Sequence, residues 1–245
     1  MSEGESRRDY LTTKYLEYQK QYAGNLRESD KVLIALIKET MSNYPKKNHR
    51  LLEVGCSSGN LILHLKKALP MVEFHGIDLF PEIIEVSKSN PDLSDVIFNV
   101  MDVRNLTYQD KFDFIVMNAV LSYFKGDELN LVISNVARVT DSGGWLFAFS
   151  PLNPFEQEIH IIEISTAHPR EAIFNFHSYL TMEKLLRNHG FANLEFRPFS
   201  IPIDLDGGND FRDLKTYTIR TAQGERLNFR GSLFQPWCHL KARKE

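Results

Sequence analysis

Residues 51–60 read LLEVGCSSGN, an apolar run that ends in a loop of small residues and leads into a helical pattern. The run predicts a buried strand, and the small side chains of the loop let the backbone approach a ligand closely. Many α/β proteins use such a turn only for tight packing. The loop by itself therefore leaves a binding role and a packing role equally open.

A second strand-like run ends in a carboxylate. Residues 74–78 read FHGID, which places Asp78 19 residues after Gly59. In nucleoside-binding doubly wound folds, an acidic residue at about this spacing accepts hydrogen bonds from ribose hydroxyls. The same side chain could also cap the helix that begins near Pro81, but the spacing favours the ribose role.

From His49 onward, short apolar runs alternate with helical stretches, as they do in βαβ units around a parallel sheet. Strands are predicted over 50–54, 73–78, 96–100, 112–117, 144–149, 193–199 and 237–242, and helices over 60–69, 81–89, 127–139 and 182–188. Residues 151–176 contain three prolines and predict a partly irregular insertion. The prediction is an α/β fold with a Rossmann-like, seven-stranded, mostly parallel sheet, helices on both faces and a C-terminal β-hairpin addition over 216–230.

The first 45 residues have a different pattern. Tyr10, Tyr15, Tyr18 and Tyr22 recur at steps that place their rings near one helical face, and Ser29 and Asp30 precede an amphipathic helix as candidate caps. We predict that residues 1–45 form a helical lid over the ligand site and that residues 46–245 form one domain. Packing of the tyrosines on the outer face of the sheet is the alternative.

Polar side chains follow several predicted strands. Glu53, Asp78, Asp102 and Asn118 lie at or just after the ends of four strands, where ligands bind in open α/β sheets. Asp102 is placed where it could accept a hydrogen bond from the exocyclic amine of an adenine. We therefore expect these four residues to converge on one edge of the sheet.

Residues 51–149 together resemble the class I S-adenosylmethionine-dependent methyltransferases. The match rests on the loop 53–59, on Asp78, on Asp102-Val103 and on the segment 112–124, and Ser57 departs from it where many members carry a glycine. The resemblance implies that the loop cradles the methionine end of S-adenosylmethionine near Glu53 and the Asn118 carbonyl, while Asp78 holds the ribose. The implied cofactor-binding residues are Glu53, Gly55, Cys56, Ser57, Gly59, Asp78, Leu79, Asp102, Val103 and Asn118.

Methyl transfer from a sulfonium needs no metal, and we predict no metal site. A hydroxyl acceptor would benefit from a general base, for which histidine is suited because its pKa lies near neutrality. His160, His168 and His177 all follow the fifth predicted strand, and we select His177 as the candidate base, with Tyr123 as the second candidate catalytic residue. An amine acceptor would need no base.

Both ends of the chain resemble a subset of bacterial methyltransferases associated with surface-polysaccharide biosynthesis. The basis is the segment YQKQY at 18–22 with RESD at 27–30, and FQPWCH at 234–239. This resemblance suggests a small-molecule acceptor with a hydroxyl or amine, such as a sugar or a nucleotide-linked intermediate. It leaves the oligomeric state open.

Two other functions are weighed against methyl transfer. A nucleotide-sugar epimerase or oxidoreductase should carry a Tyr-x-x-x-Lys pair after the sheet begins, whereas Tyr10 and Lys14 precede it; the third glycine of a dinucleotide fingerprint is replaced by Asn60. A methyltransferase-like domain that binds cofactor or a partner protein without turnover stays open. Base methylation of nucleic acid is disfavoured because its Asp/Asn-Pro-Pro-Tyr/Phe signature is absent after Met117.

Composition sets further limits. The 29 basic and 32 acidic residues give a net charge of −3, which argues against a nucleic-acid partner that binds through bulk positive charge. Cys56 and Cys238 are too few for a disulfide framework or a four-cysteine zinc site. The polar N-terminus lacks the apolar core of a signal peptide, and no apolar run approaches the length of a membrane span. We expect a cytoplasmic protein.

Overall fold

The computed structural model describes residues 24–44, 48–165, 171–208 and 214–245. Its helices are α1 (Glu28–Ser42), α2 (Asn60–Ala68), α3 (Pro81–Lys88), α4 (Gly126–Val139) and α5 (Tyr179–Asn188). Its strands are β1 (His49–Val54), β2 (Val72–Asp78), β3 (Ile97–Val100), β4 (Phe112–Asn118), β5 (Thr140–Asn153), β6 (Ile159–Glu163), β7 (Ala172–Ser178), β8 (Phe191–Pro198), β9 (Thr216–Arg220), β10 (Arg226–Arg230), β11 (Leu233–Phe234) and β12 (Trp237–Lys244). The tyrosine stripe 10–22 and His168 lie outside the described residues.

The main sheet is mostly parallel and runs in the order β3-β2-β1-β4-β5-β12-β8. The neighbouring pairs from β3 to β5 are parallel, while β12 runs antiparallel to both β5 and β8. From β1, the strands β2 and β3 follow on one side, and β4 and β5 follow on the other side. The strand order therefore reverses beside β1. Ligand sites of doubly wound sheets form at such a reversal.

Helices cover both faces of the sheet, as predicted. The helices α1, α2 and α3 pack their apolar residues on one face, against Leu51, Phe114 and Phe147. The helices α4 and α5 pack on the opposite face, against Leu52, Ile115 and Leu240. The alternation of Leu51 and Leu52 between the two cores is the two-residue period of a strand that is buried on both sides.

Within the described residues, the main sheet has nine strands, two more than the prediction. The segment 151–176, predicted to be partly irregular, contains the end of β5 and the antiparallel pair β6 and β7, and β7 continues the sheet from Leu152 and Asn153. Pro151 does not prevent pairing. It lies opposite Trp237 on β12, and the amide of the next residue, Leu152, donates to the Pro236 carbonyl.

The strand β5 begins earlier than predicted. It starts at Thr140, and its pairing with β4 shifts register between Phe112 and Phe114. Gly143, with φ of +79°, lies in this irregular stretch. Residues 140–143, which precede the strand predicted over 144–149, therefore belong to β5, and the register shift marks a bulge or irregularity in the pairing.

The C-terminal addition matches the predicted hairpin. The strands β9 and β10 pair in antiparallel register around residues 221–225, and β11 extends them to a separate three-stranded sheet. Among the helices of the described ranges, none combines the length and the hydropathy that crossing a membrane requires.

Candidate cofactor site

The loop between β1 and α2 has a backbone that requires small residues. Gly55, Ser57 and Gly59 have φ values of +69°, +51° and +76°. A Cβ atom on Gly55 would lie 2.6 Å from Val120 Cγ2, and one on Gly59 would lie 2.7 Å from Leu93 Cδ1. Ser57 stands at the position where the resemblance expects glycine. It occupies the same left-handed region, which is strained for a residue that has a Cβ atom. Cys56 lies between Gly55 and Ser57, and its buried side chain packs toward Gly76.

Asp78, at the end of β2, accepts hydrogen bonds from two backbone amides. Its Oδ2 accepts a hydrogen bond from the Ser57 amide at 3.0 Å, and its Oδ1 accepts one from the Phe80 amide at 3.1 Å. Burial raises the pKa of Asp78, although these backbone amides oppose the rise. The carboxylate thus holds the glycine loop and also caps the turn before α3, which is one of the two roles weighed from the sequence; the ribose role stays a prediction. The next residue, Leu79, is 45% exposed.

A second group of polar side chains lies beside the loop. Glu53 is 2% exposed, and its Oε2 has no hydrogen-bond partner. Burial, together with the negative charges of Asp30 and Asp78, raises the pKa of Glu53 well above its usual range. Asn118, at the end of β4, donates from Nδ2 to Oδ1 of Asp30 at 3.0 Å. Three carboxyl groups and one amide therefore meet where β1, β2, β4 and α1 come together.

Asp30 is the member of this group that the sequence interpretation missed. The sequence predicts it only as a helix cap. Arg27 occupies the N-cap position, and Asp30 lies in the first turn of α1 with 3% exposure, where its carboxylate accepts a hydrogen bond from the Arg27 amide. The signal was available: Asp30, Leu33 and Ile37 are spaced by three and four residues, which places the carboxylate on the apolar stripe of the helix.

Asp102 is engaged by a neighbouring arginine. It caps the short 3-10 helix Val103–Asn105 through the Arg104 amide, and its carboxylate contacts the Arg104 side chain in a two-oxygen ion pair, which lowers the pKa of Asp102. The Met101 amide donates to the Asp78 carbonyl at 2.9 Å, so this turn lies beside the end of β2. Val103 is buried, 6% exposed.

Tyr123 lies in a 3-10 helix, Leu121–Tyr123, that follows β4. The residue is 58% exposed. The negative charge of Asp78 acts on its phenol and contributes to raising the pKa of that group. Tyr123 therefore lies on the Asp78 side of the site.

His177 lies inside the protein. It is 1% exposed, its Nδ1 lies 2.7 Å from Glu158 Oε2, and its Nε2 lies 3.4 Å from the Leu121 carbonyl oxygen. Protein oxygens therefore face both ring nitrogens, and the ring is enclosed by the protein. The role of His177 as general base stays a prediction, which this burial disfavours.

A second set of polar contacts on β6 and β7 involves His160 and Asn175. Its Nδ1 lies 2.8 Å from Oδ1 of the buried Asn175, whose Nδ2 donates to the Ser122 carbonyl at 2.9 Å. Strand β7 thus contacts the 3-10 helix through His177 and Asn175. This buried polar network holds the segment that carries Tyr123.

The sheet order brings together most of the residues predicted for the site. Because β2, β1 and β4 are neighbours, the ends of these strands place the glycine loop, Asp78 and Asn118 side by side. Asp102 joins them from β3. His177 lies on β7 and contacts the 3-10 helix after β4 through the Leu121 carbonyl.

The chain is similar to known methyltransferases. A family model described as a methyltransferase domain matches residues 22–195, which is more than half of the chain. A malonyl-[acyl-carrier protein] O-methyltransferase of Bacillus cereus is 24% identical over 139 residues, covering 57% of this chain and 50% of that protein. The chain thus spans about half the length of this curated relative.

Solved structures with the same fold include a magnesium protoporphyrin IX methyltransferase of Synechocystis with bound SAM. It has a TM-score of 0.61 and 14% identity, and the match covers 100% of this chain and 98% of that one. The N-methyltransferase NodS of Bradyrhizobium japonicum, in complex with S-adenosyl-L-homocysteine, has a TM-score of 0.52 and 17% identity over 87% of this chain and 86% of that one.

Proposed function

The chain belongs to the methyltransferase domain family, and on that premise we propose that it transfers the methyl group of S-adenosylmethionine to a small acceptor molecule. The observation that carries this proposal is the buried Oε2 of Glu53, which has no hydrogen-bond partner and lies directly before the glycine loop. A buried carboxylate oxygen without a partner is costly, and a cationic ligand would offset that cost.

The residues around Glu53 fit this cofactor. The loop supplies close backbone approach, Ser57 Oγ is a second buried oxygen without a partner, and Asp78 presents a carboxylate at the end of the adjacent strand. Glu53 and Asn118 would hold the amino acid end, Asp78 the ribose, and Asp102 with Val103 the adenine. When bound, the cofactor supplies an electrophilic methyl group on a sulfonium, which an acceptor displaces in line.

The role of the protein in such a reaction is mostly to position the reactants. Holding the two reacting atoms in line converts a bimolecular step into an effectively unimolecular one. Tyr123 is exposed on the segment after β4 and is our candidate for contact with the acceptor. We assign His177 and Asn175 the role of positioning that segment through the Leu121 and Ser122 carbonyls.

The acceptor is proposed as an oxygen or nitrogen nucleophile on a small molecule. The name of the Bacillus cereus relative favours an oxygen acceptor carried on a protein, and the sequence resemblance at the chain ends favours a sugar or nucleotide-linked one. Because these acceptors differ in size and charge, a direct assay separates them.

Two measurements test the proposal. Calorimetry should detect binding of S-adenosylmethionine and S-adenosylhomocysteine, and tighter binding of a nicotinamide dinucleotide would overturn it. Mass spectrometry should then detect the gain of one methyl group in a panel of nucleotide sugars, sugar phosphates, amines and malonyl-acyl carrier protein. Cofactor binding with no methylated product in the whole panel would instead support a binding domain without turnover.

A further inference from the structure

Asp30 is a buried carboxylate on α1, the helix that precedes the first strand of the sheet. It lies in the first turn of α1, where its carboxylate accepts a hydrogen bond from the Arg27 backbone amide, and its side chain is turned into the protein at 3% exposure. Its Oδ1 accepts a hydrogen bond from Asn118 Nδ2 at 3.0 Å, across 88 residues of sequence. A surface helix rarely buries a carboxylate unless the charge has a partner.

The register of the sheet places Glu53 next to this contact. Glu53 pairs with Val116 on β4, and Asn118 lies two residues further along, so its side chain projects from the same face. That face is the one that α1 covers, because Leu51 and Phe114 of the same strands pack against α1 residues. Glu53 Oε2 is buried there without a partner.

The charges around the two carboxylates do not cancel. Arg27 and His64 lower the pKa of Asp30, but burial outweighs them and the pKa is raised. Glu53 is acted on by the negative charges of Asp30 and Asp78. Within the ranges that the structure describes, no three acidic, histidine or cysteine side chains are grouped as a metal site requires. A compact organic cation with several N–H donors fits this environment.

Resting on the proposed function, we propose that Asp30 acts with Glu53 to bind the α-ammonium group of the methyl donor, so that cofactor binding fixes the first turn of α1. The ammonium offers three N–H donors. The unpartnered Glu53 Oε2 and the Asp30 carboxylate would accept two of them. The amino acid end of the ligand, and not its sulfonium, is then what α1 recognises.

The test compares S-adenosylhomocysteine with its analogue in which hydrogen replaces the α-amino group. Asp30→Asn keeps the oxygen that accepts from Asn118 and removes the charge. By calorimetry it should weaken binding of S-adenosylhomocysteine about tenfold or more, as expected for a lost charge-assisted hydrogen bond. Its affinity for the desamino analogue should stay within about twofold of wild type, and the melting temperature of the ligand-free protein should rise.

Two control variants isolate the effect. Asp78→Asn alters the proposed ribose contact and should weaken both ligands equally. Glu39→Gln makes the same charge change on the exposed side of α1 and should alter neither affinity. If Asp30→Asn weakens both ligands equally, or neither, the inference is wrong while the proposed function stands. If the wild-type protein binds neither S-adenosylmethionine nor S-adenosylhomocysteine, the proposed function itself fails.

Hydrogen exchange on the wild-type protein gives a readout that needs no variant. S-adenosylhomocysteine should slow exchange of the amides in the first turns of α1, and the desamino analogue should slow it much less, while both protect the loop 55–59. Equal protection of α1 by the two ligands would overturn the role of Asp30.

Discussion

At the scale of single residues, His239 is a buried imidazole whose two ring nitrogens lack hydrogen-bond partners. It is 2% exposed and packs against Phe149, with ring centroids 4.6 Å apart, and against Phe199 at 5.5 Å. Burial, assisted by the positive charge of Arg197, lowers its pKa to about 4. The folded protein therefore holds this ring neutral at pH values where the unfolded chain would protonate it.

This shift predicts a loss of stability in acid. Between the unfolded pKa near 6.5 and the folded pKa of about 4, the unfolded state binds a proton that the folded state does not, so the free energy of unfolding falls as the pH falls. From pH 7 to pH 5 the loss attributable to His239 is about 2 kcal/mol. His239→Phe should remove that part of the loss in urea titrations at the two pH values. The buried carboxylates contribute equally in the wild-type protein and in the His239→Phe variant. An equal fall in the free energy of unfolding from pH 7 to pH 5 in the two proteins would therefore contradict the prediction.

At the scale of elements, the turn from β1 to α2 depends on backbone conformation more than on side-chain chemistry. Gly55 and Gly59 occupy the left-handed region and also lie too close to Val120 and Leu93 to accept a Cβ atom. The amide of Ser57, between them, is held by Asp78. The conformation of the turn is thus fixed by packing at its two glycines and by a hydrogen bond at Ser57.

Gly55→Ala should therefore cost more than the backbone strain alone. The exposed Gly224, with φ of +84° and no atom within 4 Å of a Cβ, supplies a matched control in which only the strain acts. Gly224→Ala should lower the free energy of unfolding by about 1 to 2 kcal/mol. Gly55→Ala should lower it further and weaken cofactor binding, as measured by urea titration and calorimetry. Equal losses of unfolding free energy in the two variants would show that the Val120 side chain moves away from the new Cβ atom at little energetic cost.

At the scale of the whole molecule, the described chain begins beside the proposed cofactor site. The Gly24 amide donates to Asn60 Oδ1 at 2.9 Å, and Asn60 Nδ2 donates to the Asn25 carbonyl at 3.1 Å. Asn60 is the first residue of α2, directly after the glycine loop. Helix α1 then packs its apolar side on the sheet, so this part of the predicted lid segment belongs to the core.

The lid itself stays a prediction for the tyrosine stripe at 10–22. Deletion of residues 1–23 keeps α1 and its core contacts, so the melting temperature should change little. Turnover should fall strongly, because a lid excludes water and fixes the acceptor. Thermal unfolding, calorimetry and a methyl-transfer assay on the same preparation decide the matter. Retained turnover with a lower melting temperature would mean that the tyrosines only pack.

The sequence by itself determined the features that short stretches encode. Strand and helix periods, the glycine loop and the position of Asp78 all follow from neighbours within about 20 residues, because side-chain periodicity and backbone preferences are local properties. The loop and Asp78 meet in the structure through the Ser57 amide, at 3.0 Å.

Only the tertiary structure decided the features that depend on distant partners. The register shift between β4 and β5 and the burial of Asp30 against Asn118 join residues that no local pattern connects. The contact of His177 with the Leu121 carbonyl likewise joins residues 56 apart in sequence. The chemistry of a side chain makes it polar or apolar. Whether it caps a helix, takes part in catalysis or is buried depends on which elements pack over it. The packing of the elements is determined by the burial of the whole hydrophobic core.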